Sequence, residues 1–182
     1  MIRYEVQPPI AGLMLIQCKP FPDSRGFFME TYRQEALAKL GLPRDFVQDN
    51  QSHSLPGVLR GLHFQCAPEE QGKLVHVVRG RIWDVAVDLR PGSPTFGKYF
   101  GYELNDKNGL MYWMPKGFAH GFCVLGDEPA DVAYKIDGYF SPKNDTGVRW
   151  NDPDLAIQWP IQEPIVSQKD MDLPLLRELF PR

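Results

Sequence analysis

Two runs in the middle of the chain set the hydrophobic pattern. KLVHVVRG (73–80) and RIWDVAVDL (81–89) are β-branched and apolar, and they meet at Gly80. That predicts two strands joined by a hairpin or tight bend. In the second run, strict alternation places Trp83, Val85, Val87 and Leu89 on one face and Ile82, Asp84, Ala86 and Asp88 on the other. Similar short runs predict strands at 13–19, 26–32, 46–53, 58–65, 99–104, 110–114, 121–125 and 132–140. Helical spacing is found in two places. Ala36, Leu37 and Leu40 predict a helix over 33–40, stopped by Gly41 and Pro43. Leu175, Leu176 and Leu179, behind an Asp172 cap and Pro174, predict another over 172–180. About ten short strands joined by turns describe an all-β sandwich or barrel with short peripheral helices. No internal repeat or composition shift divides the chain, so residues 1–182 read as a single domain.

Composition narrows the function more than the fold. The 16 glycines and 17 prolines are scattered, which suits many tight turns and disfavours long helices. A net charge of −3 supplies no basic footprint, so nucleic acid is not an expected partner. Cys18, Cys66 and Cys123 are odd in number and far apart, with no CxxC pair. Neither a disulfide framework nor a thiolate zinc site is expected, and a reducing compartment is. No run approaches the roughly 18 apolar residues that a membrane span needs. The apolar stretch 10–16 follows a lone cation, Arg3, and lacks a small-residue cleavage site, with Gln17 where a lipoprotein signal needs a small residue. The expected location is the cytoplasm.

Two of the four histidines sit in chemically suggestive company. His63 lies in GVLRGLHFQ with Arg60 and Gln65, and His120 lies in PKGFAHGF at a turn entering an aromatic strand. His53 and His76 lack such neighbours and read as structural or surface residues. Gly57, five residues, His63, then Gln65 two on and Glu70 five beyond it, resembles the first cupin motif. Gly109, five residues, Pro115, one, Gly117, two, His120 resembles the second. Together they imply a cupin double-stranded β-helix, the small jelly roll. A metal-binding cupin uses both histidines of an HxH pair, a Glu and the later His. Here the pair reads His63-Phe64-Gln65, and a neutral amide is a poor ligand for a transition metal, so no metal is expected.

Nine blocks then follow in order: FPDSRGFFMETY, FVQDNQSHS, GVLRGLHFQ, QGKLVHVVRGRIWDVAVDLR, SPTFGKY, MPKGFAHGFCVL, YKIDGYFSP, WNDPDLAIQWP and SQKD. Over nearly its whole length the chain resembles the dTDP-4-dehydrorhamnose 3,5-epimerase family. That family is a metal-free cupin, active as a homodimer without a cofactor. It epimerises dTDP-4-dehydro-6-deoxy-D-glucose at C3 and C5. The resemblance implies His63 as base, Asp170 as the carboxylate orienting it, Lys73 as the cation beside the enolate oxygen and Tyr134 as acid. It implies Arg25, Arg60 and Lys169 at the diphosphate and sugar, Glu30, Gln48 and Asn50 at the thymidine part, Tyr139 stacked on thymine, and His120 as a further substrate contact. Asp145 stands where the family has Glu. The chemistry suits these types: imidazole titrates near pH 6.5, and a phenol with a pKa near 10 keeps a proton to donate.

In a flat strand Arg60 and His63 would face opposite ways, and a bulge at Gly61 would turn both inward. Besides the dTDP-sugar and a second copy, the resemblance implies a pathway dehydratase and reductase linked through shared substrate only. The competing readings are an epimerase acting at C3 or C5 alone, a metal-dependent cupin, and a nucleotide-sugar-binding protein without catalysis.

Overall fold

The computed structural model describes residues 12–181; Ile10 and Arg3, named above, lie outside them. The strands are β1 (Met14–Gln17), β2 (Phe21–Asp23), β3 (Gly26–Phe28), β4 (Gln48–Ser54), β5 (Leu59–Gln65), β6 (Lys73–Arg79), β7 (Arg81–Asp88), β8 (Tyr99–Asn105), β9 (Leu110–Met114), β10 (Phe118–Val124), β11 (Ala130–Ile136) and β12 (Asp145–Gly147). The helices are α1 (Gln34–Lys39), α2 (Gln168–Met171) and α3 (Leu176–Leu179). Two five-stranded antiparallel sheets, ordered β1-β9-β6-β11-β4 and β12-β5-β10-β7-β8, pack face to face as the expected jelly roll. β2 and β3 form a separate hairpin.

The inner faces supply the main core, with Val75, Val77, Tyr112, Met114 and Val132 against Ile82, Ala86, Phe118, Phe122 and Val124. The outer face of the second sheet is apolar too. There Val85, Val87, Leu89 and Ala119 meet Val148, Leu155 and Leu176 from the C-terminal segment. β7 is therefore buried on both faces, which explains why its run is so nearly continuous in apolar residues. The first sheet buries Ile16, Leu74, Met111 and Trp113 on its outer face under Leu37 and Leu42 of the α1 region.

Several expectations change in detail. Gly80 (φ +81°) carries the chain from β6 in one sheet to β7 in the other, so it makes a bend and not a hairpin. The run expected over 26–32 pairs only through Phe28. The run expected over 132–140 ends at Ile136, where Asp137 and Gly138 turn the chain. The helix expected over 172–180 shrinks to α3, and Asp172, expected as its cap, instead closes the preceding turn, α2. Pro174, with no N–H to give, separates the two. Buried Asp152 accepts the Leu176 N–H at 2.7 Å, with Asp154 and Leu155 N–H groups on its other oxygen.

The feature that places the site is a bulge in β5. His120 pairs with His63 and Phe122 pairs with Arg60, so Gly61 and Leu62 together oppose Gly121. Arg60 and His63 consequently share the inner face. Gly61 has φ +121°, and a Cβ there would lie 2.6 Å from Gly121 Cα and 2.8 Å from the His120 oxygen, both backbone atoms. Gly61→Ala is expected to lower unfolding free energy by about 2–3 kcal/mol in urea titration. A loss below about 0.5 kcal/mol, the range of neutral surface changes, would show that the bulge tolerates a side chain.

Candidate active site

The bulge has a second effect: it takes the Gly61 N–H out of the β-ladder. Asp170 Oδ2 accepts that N–H at 3.1 Å, and its Oδ1 lies 2.7 Å from His63 Nε2. Asp170 is held from behind, because Ser167 caps α2 and accepts the Asp170 N–H at 3.1 Å. The carboxylate side chain is 5% exposed and that of His63 31% exposed. Burial alone would raise the Asp170 pKa. The hydrogen bonds from His63, Gly61 and Ser167 outweigh it and hold the group below the ordinary carboxylate value. An ionised carboxylate can only accept, so the proton between them belongs to Nε2 and leaves Nδ1 as the basic atom of the ring.

Three further groups share this interior. Lys73 opens β6 on the same face as Val75, and its Nζ lies 3.4 Å from the His63 carbonyl oxygen, bridging the two sheets. Burial pushes its ammonium down to about 8, against the pull of Asp145 and Asp84. Tyr134 lies on the inner face of β11 beside Asn50 of β4. Burial raises the Tyr134 phenol, opposed by a hydrogen bond with Asn50 and the charge of Arg60. Asn50 in turn accepts from Gln48 Nε2 at 3.0 Å. Arg60 closes the edge between β5 and β4 through Ser54 Oγ (2.9 Å) and the His53 oxygen (3.1 Å). A weak base and a proton-bearing phenol thus project from opposing sheets, with a cation beside the base.

Behind His120 lies a group that the sequence reading did not single out as chemical. Asp84 Oδ1 sits 2.6 Å from His120 Nε2, both side chains are buried, and Asp84 Oδ2 has no hydrogen-bond partner among the described residues. The signal was the carboxylate flanked by Ile82 and Ala86 on one strand face. Gln65 is buried as well, but its amide is bound to backbone groups. Among the described residues no group of three or more His, Cys, Asp or Glu side chains is placed to hold a metal ion.

At the margin, Asp145 is paired with Lys169 at 2.8 Å, and Tyr139 presents a 70% exposed side chain just after β11. Arg25 and Glu30 do not join this cluster. Arg25 lies on the exposed β2–β3 hairpin, paired with Asp23. Glu30 bonds Arg33 and sits near Cys18, on the outer side of the first sheet. A cavity of about 860 Å³ at the far end of β6, between Arg79, Asp106 and Glu128, contains none of the site residues.

Known proteins resemble the chain along nearly its whole length. The profile of the dTDP-4-dehydrorhamnose 3,5-epimerase family matches residues 7–178. The chain is 46% identical to the dTDP-4-dehydrorhamnose 3,5-epimerase of Shigella flexneri over 168 residues, 92% of each chain. It is 41% identical to a dTDP-4-dehydrorhamnose 3-epimerase of Streptomyces niveus over 93% of this chain and 82% of that one. The crystal structure of dTDP-6-deoxy-D-glucose-3,5-epimerase from Legionella pneumophila, in complex with dTDP-4-keto-L-rhamnose, superposes with a TM-score of 0.92 at 45% identity, covering 99% of this chain and 98% of that one. With a family profile spanning nearly all of it and relatives this similar along their whole length, the chain belongs to the dTDP-4-dehydrorhamnose 3,5-epimerase family.

Proposed function

We propose that this protein converts dTDP-4-dehydro-6-deoxy-D-glucose to dTDP-4-dehydro-L-rhamnose by inverting C3 and C5 in turn. The observation that carries the proposal is the His63–Asp170 pair facing Tyr134 across the barrel, with Lys73 beside the base. His63 Nδ1 takes the proton alpha to the C4 ketone, and Asp170 stabilises the imidazolium that forms. Negative charge moves to the ketone oxygen, where Lys73 and its low-dielectric surroundings stabilise the enolate. Tyr134, on the other sheet, returns a proton to the opposite face of the carbon. His120, set by Asp84, is a further substrate contact.

At the nucleotide end, Tyr139 stacks on the base, Gln48 and Asn50 contact the thymidine part, and Arg60 and Lys169 meet the diphosphate and sugar. Asp145 acts through Lys169, its ion-pair partner. The working unit is a homodimer. Phe27 and Phe28 stand exposed with Arg25 on a hairpin that its own barrel does not cover. In the dimer the hairpin of one protomer reaches the site of the other, which brings Arg25 and Glu30 to the nucleotide. The chain acts as one domain in the cytoplasm, taking its substrate from a dehydratase and passing its product to a reductase. Among the described residues no helix is long and apolar enough to cross a membrane. Action at a single carbon is the second reading, favoured by the 41% identity to the 3-epimerase.

Proton NMR of the keto sugar in deuterated water is expected to show loss of the C3 and C5 signals; loss at one carbon would select the single epimerase. His63→Ala should slow both exchanges by about 10²–10⁴. Tyr134→Phe should retain exchange while losing inversion.

Lys73 predicts opposite pH slopes. Its proton is needed for turnover, so kcat/KM should fall as pH rises through about 8. Between about 8 and the unperturbed 10.5 the unfolded chain holds this proton more tightly than the native one, so stability rises with pH there. Lys73→Met should flatten both slopes relative to the parent, and an unchanged stability slope would refute the assignment. In size-exclusion chromatography the protein should run at twice the chain mass, and Arg25→Ala should raise KM at least as much as it changes kcat. A monomer with full activity would remove the dimer from the mechanism.

A further inference from the structure

We infer that Gln65 and Gln71 are positioning residues that mount the Tyr139 ring for stacking on the base of a nucleoside diphosphate. The inference rests on the stacking role proposed for Tyr139. Between Asp137 and Ser141 the chain leaves β11 and runs over the mouth of the site, yet its backbone is held residue by residue. Gln71 Nε2 donates to the Gly138 oxygen at 2.7 Å. Gln65 Nε2 donates to the Tyr139 oxygen at 3.2 Å, and Gln65 Oε1 accepts the Ser141 N–H at 2.6 Å. Gln48 Oε1 accepts the Phe140 N–H at 3.3 Å, and Asp137 Oδ1 accepts the Gly72 N–H at 2.6 Å.

Three glutamines from three separate parts of the chain thus grip four consecutive residues. Gln65 and Gln71 are 4% and 8% exposed, while Tyr139, at the centre of the gripped segment, is 70% exposed. A ring that exposed gains little from folding, so burying two amides to fix its backbone makes sense as preorganisation for a ligand. A rigid aromatic platform offers a base its whole face without the ordering cost that a free loop incurs on binding. Gln65 has no hydrogen-bonding capacity idle on its nitrogen, since Nε2 also donates to the Glu69 oxygen at 2.5 Å. The position that would be the second histidine of a metal cupin has its amide wholly engaged in holding the loop.

The test is calorimetric titration with dTDP of the unaltered protein, Gln65→Leu, Tyr139→Ala and the double variant, with kcat and KM measured in parallel. Gln65→Leu is expected to weaken dTDP binding about tenfold while kcat stays within about threefold. In the Tyr139→Ala background the same change should cost less than about twofold, because its effect passes through the ring. Equal weakening in both backgrounds, or a fall in kcat with dTDP affinity unchanged, would overturn the inference. Should Gln65→Leu fail to fold, Gln71→Leu removes a single bond to the same segment and is read by the same criteria. A protein that binds dTDP with this non-additivity but exchanges no sugar protons would sink the epimerase reading and still support the mount. Tyr139→Ala binding dTDP as tightly as the parent would overturn the mount.

Discussion

The N–H of Gly61 is the hinge of the whole arrangement. A regular β5 would spend that group on its neighbour and turn Arg60 and His63 to opposite faces. The bulge frees it, and Asp170 takes it up at the same time as it takes the imidazole. One carboxylate therefore anchors the C-terminal segment to the barrel, fixes the tautomer of His63 and stabilises the strand irregularity that turned that ring inward. A buried carboxylate with fewer partners would be costly; this one is satisfied on both oxygens.

The interior divides its labour between sheets. The second sheet contributes His63, Arg60 and the His120–Asp84 pair, with Asp170 reaching His63 from α2. The first contributes Lys73, Tyr134 and the Gln48–Asn50 pair. Aliphatic residues deeper in the barrel pack both sheets at a fixed spacing. That packing, and not any loop, sets the separation of His63 and Tyr134. It also gives the low dielectric that lowers the Lys73 ammonium and raises the Tyr134 phenol.

Much of this was legible in the residues. Alternation in 81–89 marked a central strand, the short runs gave a sandwich or barrel, and the resemblance of the spacings around His63 and His120 to the cupin motifs implied the jelly roll. What periodicity could not carry was contact between distant segments. Asp170 looks like a helix cap because its partner is 107 residues away, and the pairing of Asp84 with His120 spans 36. The helix expected over 172–180 starts later, at Leu176, because buried Asp152, 24 residues away, takes the Leu176 N–H, a contact that no local pattern shows. Gln65 was legible only as the absence of a ligand. Its positive role required the loop it holds. Arg25 and Glu30 are the reverse case: the resemblance assigned them to a site from which one chain, by itself, keeps them apart.

The short helix that bears Asp170 is a single turn, capped at one end by Ser167, and its own bonds to the barrel are the Asp170 carboxylate on Gly61 and His63 and Lys169 on Asp145. The barrel beneath it is held by two sheets and three apolar clusters. Local opening of α2 therefore costs far less than global unfolding, and the two events report on different free energies. A molecule with α2 lifted would keep its sheets and its core, yet His63 would have lost the carboxylate that fixes its ring. Competence in this fold is a smaller and more fragile quantity than foldedness, and warmth or denaturant will exhaust it first.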